Sequence, residues 1–197
     1  MRRAMQTLDR IVALAALHRL STVGASVEYR YRFVTEPAAD YLLRLAGRTR
    51  SPFAVGGLAW GSEQHQDQVV LVKPSRKVEW DFGWMTPGGK VEGGESVLSA
   101  LNREMVEEVG LRPLHALLTT LHENCYTDGE QCTSHFYFQF RMQLEGGPLV
   151  SSGKDVEQPR WFDTLPHDLG WRADYLRDFA AGPPATGHVG LEHFIHG

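Results

Sequence analysis

The sequence predicts an α/β domain with a segment added at its N-terminus. Strand-like runs with period-two or continuous apolar character alternate with helix-like runs of 3.6-residue period. The length of 197 residues suits one domain. The composition is that of an ordinary globular protein, because 42% of the residues are hydrophobic and 22% are charged.

The first 50 residues are predicted to form a helix, a strand and a second helix. Apolar residues between about positions 5 and 20 recur at helical spacing, and residues 27–34 alternate between aromatic or aliphatic and charged side chains. Pro37 opens the second helix, which runs to about position 46. This segment forms either a small added subdomain or a dimer arm, and the sequence leaves both open.

The remaining chain supplies the strands of the main domain. Runs at 53–60 and 68–73 predict its first strands, and runs at 115–126 and 132–144 predict two more, joined by the turn-forming pair Asp128-Gly129. A last strand begins at Arg160, and a helix is expected at about 174–181.

Several classes of protein are disfavoured. No apolar run approaches 18 residues, so no transmembrane helix is expected. The run at 11–17 resembles the core of a signal peptide, but Asp9 and Arg10 precede it and no clean cleavage site follows. We therefore expect an ordinary helix there and a cytoplasmic protein. The net charge of −4 disfavours binding of nucleic acid by bulk electrostatics.

The two cysteines flank the predicted hairpin turn. Cys125 and Cys132 could face each other across two strands. In a cytoplasmic protein we expect both to be reduced thiols. No further ligands stand at the spacing of a zinc site.

The most informative stretch is a predicted amphipathic helix at about 96–109. At about 100° per residue, its apolar residues fall on one side: Leu98, Leu101, Met105 and Val109. Three carboxylates fall on another side: Glu104, Glu107 and Glu108.

Glutamate-rich helix faces are usually just solvated, so the surroundings of these three decide their interpretation. Gly93-Gly94 precede the helix and allow a sharp turn. Arg103 lies one turn before Glu107 and beside Glu104, so it can orient a carboxylate. Carboxylates gathered on one patch repel each other, and a hard divalent cation such as Mg²⁺ relieves that repulsion.

Residues 89–111 resemble the Nudix box at every specified position. The pattern is Gly89, five residues, Glu95, seven residues, and then the block 103–111, which reads Arg-Glu-apolar-any-Glu-Glu-any-Gly-apolar. The resemblance implies a Nudix-type α/β/α sandwich with a mixed β-sheet over about residues 52–181. The expected organisation is an N-terminal helix-strand-helix extension at 1–50, a Nudix hydrolase domain at 51–182 and a tail at 183–197.

The resemblance also implies the chemistry. Nudix hydrolases cleave the diphosphate linkage of a nucleoside diphosphate joined to a moiety X, with Mg²⁺ and with Mn²⁺ as a substitute. The metal ligands carried over from the family are Gly88, through its carbonyl, with Glu104, Glu107 and Glu108. Glu104 is either a metal ligand or the base that activates water.

Two further box residues are expected to position this group. Arg103 would hold Glu104, and Glu95 would brace the loop-helix junction through Arg103. Many Nudix proteins carry another catalytic Glu in a later loop, for which Glu157 is the first candidate here and Glu145 the second.

Candidate substrate contacts lie outside the box. Lys73 and Arg76 belong to a short basic cluster that could pair with phosphates. Tyr126 stands near the position of a Tyr seen in Nudix hydrolases of dinucleoside polyphosphates. The aromatic residues before the box, at 80, 82 and 84, are expected in the core rather than stacked on a base.

The identity of X stays open, as do two other functions. A Nudix domain can sense a nucleotide without cleaving it, although the intact glutamates argue for catalysis. An enzyme that processes RNA 5′ ends would carry the same box. The expected partner is a nucleotide substrate, with no membrane, and the chain could form a homodimer.

Overall fold

The computed structural model describes most of the predicted main domain. The described residues are 11–14, 16, 27–34, 52–75, 83–127, 132–152, 156–157, 159–169 and 172–184, with only the backbone at 32–34, 132 and 172–174. Residues 11–14 and 16 are helical, as predicted for the N-terminal segment. The helix predicted at 37–46, the turn at 128–129 and most of the tail lie outside the described residues.

Seven strands form one mixed sheet with the order β1-β5-β6-β2-β3-β7, and β4 also pairs with β2. Their bounds are β1 Glu28–Val34, β2 Phe53–Trp60, β3 Val69–Leu71, β4 Gly88–Lys90, β5 Pro113–Thr127, β6 Cys132–Leu144 and β7 Arg160–Phe162. The pairs β1·β5 and β2·β6 are parallel, and the other pairs are antiparallel. A short 3₁₀ helix, Glu63–His65, lies between β2 and β3.

Alternation along the strands builds two separate apolar layers, one on each face of the sheet. On β2, Val55 and Ala59 face the larger layer, whereas Leu58 and Trp60 face the smaller one. On β6 the even-numbered residues from Phe136 to Met142 all enter the larger layer. The central strands are buried on both faces, which is why β2 and β3 read as continuous apolar runs in the sequence.

Helices cover both faces, and Ala13, one of the helical residues of the N-terminal segment, is also buried in the larger layer. Helix α1, Val97–Glu108, packs its Leu101 and Met105 into the larger layer, where both are fully buried. Helix α2, Arg172–Ala180, covers the smaller layer through Tyr175 and through Phe179, whose ring stacks 6.3 Å from that of Trp60. The arrangement of helix, sheet and helix confirms the predicted α/β/α sandwich.

The N-terminal segment contributes to the same sheet. β1 pairs in parallel with β5 along its whole length, from Glu28↔Thr120 to Val34↔Tyr126. The strand predicted at 27–34 is therefore present and forms one edge of the sheet. The domain division at residue 50 stays a prediction.

The expectation of reduced thiols is wrong for Cys125, which is disulfide-bonded. The β5·β6 ladder extends to Thr127↔Cys132, so the backbones of residues 125 and 132 lie on neighbouring strands, two register positions apart. None of the helices in the described ranges is long and apolar enough to cross a membrane.

Candidate active site

Helix α1 presents the box carboxylates because both of its ends are fixed. Ser96 is the N-cap, and its hydroxyl accepts a hydrogen bond from the Ser99 N–H at 3.1 Å. The helix ends before Gly110, whose φ of +81° suits glycine. A later loop supplies a partner for the last turn of the helix, since the Ser152 N–H donates to the backbone carbonyl oxygen of Glu107 at 2.8 Å.

Two of the three helix carboxylates lie against strand β4. Glu104 and Glu108 are only 9% and 8% exposed. The Gly88 N–H donates to Glu108 Oε2 at 2.8 Å. The Glu104 carboxylate fills the space that a side chain on Gly89 would occupy. The absence of side chains at Gly88 and Gly89 therefore allows Glu104 and Glu108, one helical turn apart, to reach adjacent residues of β4.

Arg103 joins the carboxylates into one network. Its Nη2 donates to Glu95 Oε1 at 2.7 Å and its Nε donates to Glu95 Oε2 at 3.2 Å. The same Nη2 also donates to the Lys90 carbonyl oxygen at 2.8 Å. Its Nη1 donates to Glu104 Oε1 at 2.8 Å and to Glu107 Oε2 at 3.3 Å. Arg103 therefore contacts both Glu95 and Glu104, and the positioning roles expected of Arg103 and Glu95 stay a prediction.

The pKa values of Glu95 and Glu104 are shifted in opposite directions. The hydrogen bonds from Arg103 hold the pKa of Glu95 below its ordinary value. Burial raises the pKa of the Glu104 carboxyl, although Arg103 opposes that shift. A carboxyl with a raised pKa is the better proton acceptor of the two.

The donor set suits a hard cation. Three carboxylates, those of Glu95, Glu104 and Glu107, pair with the guanidinium of Arg103, and a fourth, Glu108, accepts the Gly88 N–H. In the part of the chain that the structure describes, they do not form a preassembled metal group, since Arg103 Nη1 bridges Glu104 and Glu107. The excess of negative charge and the all-oxygen donors nevertheless fit Mg²⁺.

A cavity of about 230 Å³ opens on the other side of Gly88 and Gly89. It lies on the sheet face opposite α1, between β5, β6 and α2. Its lining is made of small, aromatic and neutral polar residues: Ala54, Val55, Met85, Thr86, Gly88, Gly89, His122, Asn124, Tyr126, His135, Tyr137, Gln139 and Tyr175.

Burial and nearby charge keep two of the lining groups neutral. Burial raises the pKa of Tyr137 well above its ordinary value, and its hydroxyl shares Thr86 with Tyr175. Burial, together with the positive charge of Lys90, lowers the pKa of His135 to about 4. The cavity therefore presents rings without a net charge at neutral pH on Tyr137 and His135.

A buried acid on α2 orients part of the lining. Asp178, 3% exposed, accepts hydrogen bonds from Gln139 Nε2 at 2.5 Å and from the Thr119 hydroxyl at 3.0 Å. Because the amide nitrogen of Gln139 is engaged there, its oxygen faces His122 Nε2 at 2.9 Å. Gln139 Oε1 thus accepts a hydrogen bond from the Nε2–H of His122.

The candidate substrate residues are distributed unevenly. Tyr126 lines the cavity. Lys73 Nζ lies 4.9 Å from the centre of the Trp84 ring, which also packs edge-on against Phe162. Arg76 lies outside the described residues, as do the aromatic residues at 80 and 82.

Neither candidate for the later glutamate makes a described contact with the box carboxylates. Glu157 is exposed, and its N–H donates to the Lys73 carbonyl at 2.5 Å. Glu145 accepts a hydrogen bond from the Arg112 N–H at 3.0 Å.

Sequence reasoning missed the polar lining of the cavity and the buried Asp178. The available signal was alternation: on β5 and β6 the residues between the apolar ones are His122, Asn124, Tyr137 and Gln139. A polar strand face is ordinarily a solvated one, and here α2 covers it.

Comparison with known proteins identifies the family. A model of the NUDIX domain matches residues 51–177. Over 101 residues the chain is 32% identical to the uncharacterized Nudix hydrolase YvcI of Bacillus subtilis, a match that covers 51% of this chain and 61% of that protein. It is also 32% identical over 100 residues to the human 8-oxo-dGDP phosphatase NUDT18, covering 49% of this chain and 28% of that protein.

Other matches extend the range of relatives. The chain is 30% identical over 105 residues to the NAD-capped RNA hydrolase NudC of Pseudomonas syringae, covering 51% of this chain and 34% of that protein. The crystal structure of a Bacillus subtilis pyrophosphohydrolase superposes with a TM-score of 0.50 at 18% identity, over 68% of this chain and 84% of that one. The last likeness concerns the fold alone. The matched domain makes up more than half of the sequence, and the chain belongs to the Nudix family.

Proposed function

We propose that this protein is a Mg²⁺-dependent hydrolase that cleaves the diphosphate linkage of a nucleoside diphosphate joined to X. The observation that carries the proposal is the convergence of Glu104 and Glu108 on Gly88-Gly89, with Arg103 bonded to Glu104. This group lies at the edge of a ring-lined cavity of about 230 Å³ whose described lining holds no Asp, Glu, Lys or Arg.

The residues that would hold the metal are Glu104, Glu107, Glu108 and the Gly88 carbonyl. Bound there, Mg²⁺ would neutralise diphosphate oxygens and lower the pKa of a coordinated water. Glu104 accepts the proton of the attacking water or serves as a ligand, and its burial favours the first role. Arg103 keeps the carboxylates in register with β4.

The test is hydrolysis of a nucleotide panel with Mg²⁺, with Mn²⁺ as the substitute and with EDTA as the blank. We expect Glu107→Gln and Glu108→Gln each to lower kcat by about a hundredfold or more, as loss of a metal ligand should. Glu63→Gln, which changes an exposed carboxylate far from the box in sequence, is the matched control. Full activity in both box variants would contradict the assignment.

RNA 5′ ends form the second candidate substrate class. It is favoured by the similarity to NudC and by 40% identity over 57 residues to an RNA pyrophosphohydrolase of Shewanella frigidimarina, covering 33% of that protein. The net charge of −4 weighs against it. Phosphate or nucleotide release from triphosphorylated and capped RNA, measured against mononucleotides, decides between the two classes. Binding without cleavage of any substrate would support a nucleotide sensor instead.

On the sequence grounds given above, we also propose that the protein is cytoplasmic and that it forms a homodimer. The disulfide at Cys125 weighs against a reducing compartment. Alkylation of thiols at the moment of cell lysis, followed by mass analysis, tests the compartment, and sedimentation equilibrium tests the oligomeric state.

A further inference from the structure

The cavity has the chemistry of a site for an uncharged heterocycle. None of the described residues that line it is Asp, Glu, Lys or Arg. Five of them carry rings: His122, Tyr126, His135, Tyr137 and Tyr175. Its volume of about 230 Å³ is below the usual 300–1,000 Å³ of sites for drug-sized ligands. A single ring system with its sugar fits this description better than a second phosphorylated group.

Asn124 is a buried polar residue of the lining. Its side chain is 5% exposed, and within the described part of the chain its Oδ1 has no hydrogen-bond partner. A buried polar atom left in this state costs free energy that folding does not recover. Because the terminal torsion of Asn is broad and roughly two-fold, rotation can bring either end of the amide to the cavity.

The position of Asn124 links the cavity to the carboxylates. It stands opposite His135 in the β5·β6 ladder, on the floor of the cavity. Gly88 and Gly89 form the wall shared by the cavity and the carboxylate group. A nucleotide whose diphosphate lies at the carboxylates can therefore place one end group in the cavity, while its other end points away.

We propose that the cavity takes the nucleobase, that the Asn124 amide reads its hydrogen-bonding edge, and that X remains outside. This inference rests on the proposed hydrolysis of nucleoside diphosphate derivatives. The base supplies an N–H donor that pairs with Oδ1, and an adjacent acceptor on the base pairs with the amide N–H₂, as Asn pairs with purine edges elsewhere. The enzyme then selects strictly for the base and tolerates changes in X.

The magnitude of the selection follows from the pairing. A good two-bond contact between an amide and a base edge discriminates against the wrong base about tenfold or more. Sites that hydrogen-bond a substrate group reject analogues that cannot replace the bond, because the buried partner is then left unpaired.

Binding without metal tests the base preference separately from catalysis. Titration calorimetry in EDTA with AMP, GMP, CMP and UMP should give one preferred base, with a Kd at least about tenfold below those of the others. Asn124→Leu should bring the four Kd values within about threefold of each other, while Asn102→Leu, the same change on helix α1 outside the cavity, should retain the preference. Melting temperatures of both variants report whether they are folded.

Turnover tests the tolerance for X. With the preferred base fixed, kcat/KM should vary less across a triphosphate, a diphosphate sugar and a dinucleoside polyphosphate than it does across the four bases with X fixed. A flat base series with a steep X series would overturn the inference without any variant. So would an unchanged base preference in folded Asn124→Leu.

The two proposals fail in different ways. Base-selective binding without hydrolysis of any panel member with Mg²⁺ would support the inference and refute the proposed hydrolase. Hydrolysis abolished by Glu107→Gln but indifferent to the base would support the hydrolase and refute the inference.

Discussion

Replacing His135 should change how the stability of the protein depends on pH. Burial in the lining of the cavity, reinforced by the charge of Lys90, lowers the pKa of this imidazole from 6.5 to about 4 in the folded protein. The folded state therefore disfavours the protonated form. The stabilising contribution is fully present above pH 6.5 and is lost as the pH falls from about 6.5 towards 4.

The size of the effect follows from the shift. Each unit of pKa difference is worth about 1.4 kcal/mol, so the two and a half units give about 3 to 4 kcal/mol at most over this window. The free energy of unfolding of the wild type should fall by up to about 1.4 kcal/mol per pH unit relative to His135→Gln. The variant lacks the group that titrates, whatever its absolute stability.

Urea unfolding at half-unit intervals between pH 4 and 7.5 measures this difference. Lys90→Met is a second variant, because it removes the charge that is the smaller cause of the lowered His135 pKa. The folded-state pKa of His135 should then rise above 4, so the pH range over which stability is lost should shorten at its acidic end. Parallel curves for the wild type and His135→Gln across the whole range would refute the reasoning.

Two further substitutions test the carboxylate group. In Gly89→Ala the added methyl group would collide with the Glu104 carboxylate, so kcat should fall at least about tenfold. The control is Gly93→Ala, which should keep wild-type kcat because its added carbon meets nothing within 4 Å. Equal kcat values in the two variants would contradict the close packing of Gly89 against Glu104. Arg103→Lys should also lower kcat at least about tenfold, because a lysine cannot make two hydrogen bonds to Glu95 while also reaching Glu104. Steady-state kinetics at saturating Mg²⁺ measures kcat of this variant. An unchanged kcat would argue against a positioning role for Arg103.

The helix of the box could be predicted in detail because its information is local. Periodicity places Leu101 and Met105 on the buried face, and Ser96 marks the start as an N-cap. The contacts of Arg103 with Glu95 and Glu104 follow from spacing on that helix and its leading turn.

The cavity could not be predicted because it depends on pairing between distant segments. The side chain of Asn124 lies in the cavity only because β5 and β6 pair in one register, and because α2 covers that face. Nothing near Asp178 in the sequence indicates that Gln139 will satisfy its carboxylate. The disulfide at Cys125 does not follow from an expected compartment, because strand register decides which cysteines approach each other.

The two parallel pairings impose an order of assembly on the chain. Strands β1 and β2 find their parallel partners β5 and β6 some eighty to ninety residues later, whereas β5 and β6 are joined directly as a hairpin. The hairpin can form from local contacts, and it then offers one free edge to each earlier strand. During synthesis from the N-terminus, β1 stays unpaired, and β2 can pair only with β3 and β4, until the ribosome has delivered that hairpin. Slow refolding and a tendency of N-terminal fragments to aggregate are the expected signs of this delay.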